Sequence, residues 1–265
     1  RTAEAEVALS PCIDVGKVDS SSLSRLEAHL GARGLGKLIK PGLFYDFTRY
    51  RPELYFDGDR RMVDIPNTTI SYAKRKQGSD LLFLHCLEPH MMGEIYAESV
   101  LKLMLRLKVR RYWTIGAMYD SVPHTRPLIV SGIASEKAME TELRKYNVER
   151  SEYQGPTTIN ILTSQKAPEY GIETIVLIVH LPYYGQLEED YSGQYRLLSL
   201  LSSLLNLSLP LDNIRQKGEE QYKRISLAVE ADQRVKEMVQ VLEMNYDSES
   251  RQKQEKEITP RLSPE

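Results

Sequence analysis

The sequence predicts an α/β fold with a mostly parallel sheet, and three neighbouring segments carry this prediction. Residues 81–87 form a short apolar run, residues 94–109 repeat apolar side chains at helical spacing, and residues 112–118 form a second apolar run. Short continuous apolar runs are typical of strands that are buried on both faces of a sheet. A strand, a helix and a strand within about 40 residues form a parallel crossover unit, which is right-handed in nearly every known sheet. A later β-branched run, residues 172–180, predicts another buried strand.

The composition is that of an ordinary soluble globular protein. The chain has 265 residues, of which 41% are hydrophobic and 27% charged, and this length allows a sizeable core. The net charge of −2 argues against nucleic acid and against an anionic membrane as partners. No apolar stretch approaches the roughly 18 residues that a membrane helix needs, and the first residues lack the pattern of a signal peptide. We therefore expect a cytoplasmic protein.

The segment before the crossover predicts one helix and several short antiparallel strands. Residues 19–22 are helix-capping Asp and Ser residues, leucines follow at helical spacing, and Gly31 and Gly34 can end the helix. The pair Asp57-Gly58 between alternating residues predicts a hairpin. Four short runs are strand-like: 35–39, 54–56, 62–65 and 69–72. We expect these strands to form an antiparallel extension of the sheet.

The remaining predicted elements are less sharply patterned. Residues 7–15 could hold a first strand, although Pro11 interrupts it. Residues 157–165 fit either a helix or a strand. Three further elements are predicted: a strand at 128–132 and helices at 136–146 and 191–207.

From residue 213 onward the sequence predicts a helical extension of the 1–212 domain, over residues 213–247, and then a disordered, highly charged tail over 248–265. Apolar side chains recur in this extension in steps of three or four, as in the seam between packed helices. These seam residues are Ile225, Ala228, Ala231, Val235, Met238, Leu242 and Tyr246. Two interpretations are open: the helix lies on its own domain, or it packs against another chain.

The sequence offers no strong motif for a metal or a phosphate. Its histidines lack a ligand partner at helical or metal-site spacing. Residues 31–37 resemble a phosphate-binding loop, but Leu38 stands where Ser or Thr would bind magnesium. The segment also follows a helix and precedes a strand, which is the reverse of the required order. We therefore expect no cofactor and no metal, and we favour a protein that is not an enzyme.

Four titratable residues form the candidate site. Glu88, Asp120, His124 and Arg126 follow two predicted strands, and the carboxyl ends of parallel strands meet at one edge of a sheet, where sites form. Arg126 could bind an anion together with Thr125. It could equally pair with Glu88 and hold the two strand ends together. The cluster is therefore either a ligand site or a structural contact.

Five motifs together resemble those of the proteasome assembly chaperone family, in the branch named for its second chaperone subunit. The resemblance extends over residues 40–247. The motifs are FYDF at 44–47 with Arg51-Pro52, Glu88-Pro89, VPHTRP at 122–127, LPYY at 181–184 and LEMNYD at 242–247.

This resemblance implies a three-layer α/β/α sandwich like that of nucleoside phosphorylases, with the C-terminal helical extension. It also implies a homo-oligomer, with a trimer as the first expectation, and proteasome α-subunits or another protein as client. Our leading hypothesis is a non-enzymatic, oligomeric assembly protein whose seam residues pack between protomers or against a client. The alternative is a small-molecule binding protein or enzyme that takes a nucleoside, nucleotide or phosphate at the strand ends.

Overall fold

The computed structural model describes residues 6–10 and 14–258, with side chains described for residues 14–252. In these ranges the chain forms an eight-stranded sheet, a separate two-stranded sheet and seven α-helices. The strands are β1 Glu6–Ser10, β2 Arg33–Lys37, β3 Glu53–Asp57, β4 Arg60–Asp64, β5 Thr69–Ala73, β6 Leu81–His85, β7 Arg111–Asp120, β8 Val130–Ala134, β9 Val148–Arg150 and β10 Glu173–Pro182. The helices are α1 Val18–Leu30, α2 Gly93–Arg106, α3 Lys137–Lys145, α4 Ile159–Lys166, α5 Tyr191–Leu204, α6 Asp212–Ala231 and α7 Gln233–Ile258.

The large sheet has a parallel centre and mixed flanks. Its strand order is β2-β5-β6-β1-β7-β10-β8-β9. The four central strands, β6, β1, β7 and β10, run parallel. On one flank β5 and β2 each pair antiparallel with their inner neighbour, and on the other flank β8 is antiparallel to β10 while β9 is parallel to β8. The predicted α/β class is confirmed as a mixed α/β fold, and the parallel pairing is concentrated in the middle of the sheet.

The predicted crossover is present, with one strand inserted into it. β6, α2 and β7 occupy the three predicted segments, and both strands pair in parallel with β1, which lies between them. Glu6 is opposite Leu81 on one side and Arg111 on the other. The last residue of β1 is Ser10, and Pro11 is the next residue in the sequence.

Helices cover both faces of the large sheet. Successive side chains of a strand point to opposite faces, and β6 follows this rule. Leu81 and Phe83 pack with residues of α1 and α5, whereas Leu82 and Leu84 pack with residues of α2 and α4. The sheet therefore separates two hydrophobic clusters.

α1 ends where its first glycine predicts, and begins earlier than its capping residues predict. Gly31 has φ 62°, a left-handed conformation that glycine adopts without strain, and it stops the helix. Gly34 is not a helix terminator, because it lies within β2. The helix begins at Val18, and Asp19 lies buried in its first turn instead of preceding it.

The predicted hairpin is confirmed, but it stands apart from the large sheet. β3 and β4 pair antiparallel around Gly58-Asp59, with Asp57 opposite Arg60. Every residue of both strands is exposed. The antiparallel extension of the large sheet therefore consists of β5 and β2, and β3 and β4 form a sheet of their own.

The C-terminal extension is two helices, since Asp232 interrupts it. Asp232 has extended backbone angles, φ −122° and ψ 109°. Its Oδ1 accepts a hydrogen bond from the Arg234 N–H at 2.9 Å and so caps the start of α7. α7 continues to Ile258, into the segment for which the sequence predicts disorder. None of the helices in the described ranges has the length and apolar content needed to cross a membrane.

Candidate functional site

The candidate site lies at the carboxyl ends of β7 and β10. These strands pair along their whole length, so that Asp120 is opposite Pro182. The segment 121–127 follows β7, and the segment 183–185 follows β10. We call the contact of these two segments with α6 and α7 the strand-end junction.

Asp120 binds a histidine of the neighbouring strand. Its Oδ2 lies 2.7 Å from His180 Nδ1, and its Oδ1 accepts the Ser121 N–H at 2.7 Å. The other nitrogen of His180, Nε2, lies 2.7 Å from Ser131 Oγ on β8. Both carboxylate oxygens and both ring nitrogens are thus occupied, and the contact ties β7, β10 and β8 together.

His124 is buried, and its backbone N–H and both ring nitrogens have protein partners. Its N–H donates to Tyr184 Oη at 2.8 Å, and its Nδ1 lies 2.7 Å from the same oxygen. Its Nε2 lies 2.9 Å from Ser226 Oγ, which donates to the Tyr222 carbonyl at 3.1 Å. One proton arrangement satisfies this chain: Tyr184 donates to Nδ1, and Nε2–H donates to Ser226. Burial lowers the pKa of His124, against a smaller raising effect of Glu243, and this favours the neutral ring that the arrangement requires.

Arg126 binds two carboxylates of α7. Its Nε and Nη2 contact the two oxygens of Asp247 at 2.8 and 2.9 Å, which is the paired geometry that a guanidinium offers a carboxylate. Its Nη1 lies 3.5 Å from Glu243 Oε1. The hydrogen bond to Arg126 lowers the pKa of Asp247, so both groups are charged at neutral pH.

Two neighbours of Arg126 complete this contact. The hydroxyl of Thr125 donates to Glu243, and the hydroxyl of Tyr246 donates to the Pro127 carbonyl at 3.0 Å. The VPHTRP and LEMNYD motifs therefore contact each other directly, although Thr125 and Glu243 are 118 positions apart in the sequence.

The segment after β10 supports both C-terminal helices. The hydroxyl of Tyr183 lies 2.8 Å from the sulfur of Met238 on α7. Ile225 of α6 packs over Gly185, where an added Cβ would lie 2.9 Å from its Cδ1. A larger residue at 185 would therefore force the Ile225 side chain to move.

The seam residues lie at different depths. Leu242 is buried; Ile225, Val235, Met238 and Tyr246 are half-buried; Ala228 and Ala231 are exposed. Val229 and Val239 are buried although they are outside the predicted seam. The helix break at Asp232 explains why the buried positions differ from the predicted seam, because the seam pattern assumes one continuous helix. Both helices contact their own domain, which favours the first of the two interpretations; a contact with another chain stays a prediction.

Glu88 is held elsewhere. Its two carboxylate oxygens accept the Ile159 N–H at 2.9 and 3.2 Å, at the start of α4. β1 separates its strand, β6, from β7. The four predicted site residues therefore do not form one cluster, and Arg126 pairs with Asp247 and Glu243 instead of Glu88.

The loop after β6 is bound to the FYDF motif. The Phe44 carbonyl accepts the N–H groups of His90 and Met91 at 2.8 and 3.2 Å, and the Asp46 N–H donates to His90 Nδ1 at 3.2 Å. Behind this contact, Cys86 is buried, and burial raises its pKa to about 12. This thiol is therefore protonated and unreactive at neutral pH.

The sequence motifs did not identify several residues that complete the strand-end junction. The sequence predicts His180 only as the end of a strand, and Tyr222 and Ser226 carry no motif. Glu243 and Asp247 had a usable signal, since carboxylates four positions apart lie on one face of a helix and suit a single arginine.

Comparison with known proteins identifies the family. The model of the PAC2 family matches residues 8–229. A PAC2 family protein from Streptomyces avermitilis is 25% identical, with a TM-score of 0.78, and the match covers 89% of this chain and 99% of that one. A proteasome-assembly chaperone homologue of Mycobacterium tuberculosis is 24% identical, with a TM-score of 0.77 and the same coverage of 89% and 99%.

A more distant structure has the same fold. The archaeal proteasome activator of Pyrococcus furiosus is 15% identical, with a TM-score of 0.66, over 86% of this chain and 94% of that one. Comparison with the curated proteins gave no match. The family match over most of the chain confirms the resemblance seen in the five motifs, and the protein belongs to the PAC2 family.

Proposed function

We propose that this protein is a non-enzymatic, homo-oligomeric assembly protein of the chaperone type, with a protein client. The observation that carries this proposal is the strand-end junction. The three predicted site residues there, Asp120, His124 and Arg126, bind groups of their own chain. A catalytic or ligand site needs such groups to face a pocket.

The relatives indicate which client to test first. One similar structure is a proteasome-assembly chaperone homologue, and another is a proteasome activator. We therefore propose proteasome α-subunits as the first candidates, in the cytoplasm. Helices on both faces of the sheet support a three-layer α/β/α sandwich for the 1–212 domain, and the nucleoside phosphorylase type stays a prediction.

The client surface that we propose is the outer face of α6 and α7. One face of these helices packs on the segments 121–127 and 183–185. Large apolar side chains on the other face are exposed. Leu227 and Met244 are 66% and 62% exposed, and Val241 is 50% exposed. Exposed apolar side chains that recur along two helices are typical of a protein-binding surface.

Recovery of the client from the native organism tests this proposal. The tagged protein should recover proteasome α-subunits, and the double variant Leu227→Glu, Met244→Glu should lose them. Leu105→Glu is the matched control, since Leu105 is also a large apolar residue that is more than half exposed, but it lies on α2. Equal recovery with all three proteins would contradict a client surface on α6 and α7.

The alternative is a ligand site for a nucleoside, nucleotide or phosphate at the strand ends. It would require Arg126 to release Asp247 and Glu243. A thermal-shift screen with these ligands tests it: stabilisation that Arg126→Gln abolishes would favour the ligand site over the assembly role.

A further inference from the structure

A groove lies between the base of the β3–β4 hairpin and the end of β2. Its volume is about 490 Å³, within the range of about 300–1,000 Å³ that is usual for small-molecule sites. The residues that line it all lie between positions 37 and 87, so it is distinct from the strand-end junction. We call it the hairpin groove.

The hairpin groove carries charges of both signs that the chain leaves unpaired. Lys37 of β2 and Arg51 are its cations, and Glu53 of β3 and Asp64 of β4 are its anions. In the part of the chain that the structure describes, none of these four residues forms an ion pair. Charged groups that line a groove without a partner in the chain are available to a ligand.

The two carboxylates favour a ligand that carries an ammonium group. Glu53 lies directly opposite Asp64 in the hairpin register, and like charges in this position repel each other. An ammonium group between them would replace this repulsion with two attractions. It also donates three hydrogen bonds, whereas ionised carboxylates only accept them.

The two cations favour a carboxylate on the same ligand. Lys37 and Arg51 offer only hydrogen-bond donors, and the guanidinium of Arg51 has the fork geometry that binds both oxygens of one carboxylate. Arg51 belongs to the motif that begins with FYDF. The FYDF part contacts the loop after β6, whereas Arg51 is exposed and lines the groove.

Contacts within the chain hold the walls of the hairpin groove in place. The ring of Tyr50 meets the rings of His90 and Tyr45 edge to face, with centroids 4.6 and 6.0 Å apart. Asn67 accepts the Leu38 N–H at 3.0 Å and donates to the Leu38 carbonyl at 3.1 Å. The groove is therefore formed before any ligand binds, which lowers the entropic cost of binding.

We propose that the hairpin groove binds a short peptide with two free termini. Its ammonium group lies between Glu53 and Asp64, and its carboxylate contacts Lys37 and Arg51. A side chain of the peptide packs on Leu87 and Ile65, which form apolar parts of the lining. A ligand with one charge would leave one of the two pairs unmatched. Free termini arise when peptide bonds are hydrolysed, so this class of reaction supplies the ligand.

Isothermal titration calorimetry of the full chain with dialanine tests the proposal. Dialanine should bind, and N-acetyl-dialanine and dialanine amide should each bind about tenfold more weakly or worse, because each lacks one terminal charge. Alanine should also bind more weakly, since it offers less surface to the apolar lining. Absence of dialanine binding would overturn the site, and so would equal affinity for the capped peptides or for alanine.

Variants at the acidic end assign the ammonium group to its partners. Glu53→Gln with Asp64→Asn should weaken dialanine binding and should remove the preference for dialanine over N-acetyl-dialanine, while the preference over the amide stays. Misfolding is not expected, because the change removes a repulsion. Asp57→Asn with Asp59→Asn is the matched control, since it removes two carboxylates from the other end of the hairpin. An equal loss in the control would overturn the assignment.

Variants at the basic end should give the converse result. Lys37→Gln with Arg51→Gln should remove the preference for dialanine over its amide and keep the preference over N-acetyl-dialanine. Arg60→Gln with Arg61→Gln is the matched control, at two cations of β4 that do not line the groove. Variants that lose both preferences together would contradict the orientation of the peptide. These measurements need no client, so their outcome is independent of whether proteasome α-subunits are recovered.

Discussion

The strand-end junction and the β3–β4 hairpin differ in how many of their side chains have partners within the same chain. At the junction, α6 and α7 cover the loop after β7, and His124 and Arg126 have partners within the chain. At the hairpin, apolar side chains face solvent, and Glu53 lies opposite Asp64. The comparison teaches that a surface complete within one chain contributes to its stability, whereas an incomplete one indicates a partner.

Leu242 at the junction should have the largest effect on stability. Leu242→Ala removes a buried side chain of α7 and should lower the free energy of unfolding by about 3 kcal/mol. Urea unfolding followed by circular dichroism measures this. Met244→Ala, two residues away and exposed, is the control and should change it by less than about 0.5 kcal/mol. Equal effects of both variants would mean that α7 is not docked.

Asp190 should come next, because it joins α5 to α6. Its Oδ1 caps α5 at the Gly193 N–H, at 2.8 Å, and its Oδ2 accepts the Tyr222 hydroxyl at 3.1 Å. Asp190→Ala should cost about 2 kcal/mol in urea unfolding, from the lost cap and the unsatisfied buried hydroxyl. Asp190→Asn keeps an acceptor for the cap and should cost less. An equal loss in both variants would contradict the capping role.

Arg126 should have a smaller effect that depends on salt. Arg126→Gln leaves Asp247 and Glu243 of α7 without their cation, so the stability should fall, and less than for Leu242→Ala, because solvent screens a partly exposed pair. In 1 M NaCl the difference in the free energy of unfolding between the wild type and Arg126→Gln should disappear. Arg49→Gln, at a more exposed ion pair, is the control. A difference that salt leaves unchanged would assign the loss to packing.

His124 should make the stability depend on pH. Burial lowers its pKa in the folded state below the ordinary value of 6.5, so the folded state favours the neutral ring. Its contribution is complete above pH 6.5 and is lost as the pH falls through the lower folded pKa. Thermal unfolding between pH 7.5 and pH 5 should show this loss in the wild type and less of it in His124→Gln. His29→Gln, at an exposed position, controls for the removal of a histidine; equal pH profiles for both variants would be against the prediction.

The hairpin should have the smallest effect on the stability of one chain. At a dilution where light scattering gives a monomer, Phe56→Ser should change the free energy of unfolding by less than about 0.5 kcal/mol, because Phe56 is exposed. A loss of several kcal/mol in the monomer would mean that the hairpin packs on its own domain.

Local patterns predicted the elements of this fold well, and pairing over long distances poorly. The apolar run of β6 and the Asp57-Gly58 turn depend on neighbouring residues, and both predictions are confirmed. The insertion of β1 between β6 and β7 depends on residues far apart in the chain, and periodicity contains no information about it.

Prediction of the candidate site also succeeded for local features and failed for contacts between distant parts of the chain. Placing Asp120, His124 and Arg126 at the ends of strands needed only the strand pattern. The partners of Arg126 lie in α7, beyond a helix break that the seam pattern does not reveal. The sequence pattern groups Glu88 with Arg126 because both follow strands, but it does not contain the strand order that separates them.

The central position of β1 affects how the protein is made on the ribosome. Its residues Glu6–Ser10 are synthesised before both neighbouring strands, of which one begins at Leu81 and the other at Arg111. At translation rates of roughly 5–20 residues per second, this early segment waits on the order of 5–20 seconds for its second neighbour. The nascent chain therefore cannot complete the middle of its sheet when β1 emerges, and the native pairing of β1 on both sides must follow the synthesis of β6 and β7.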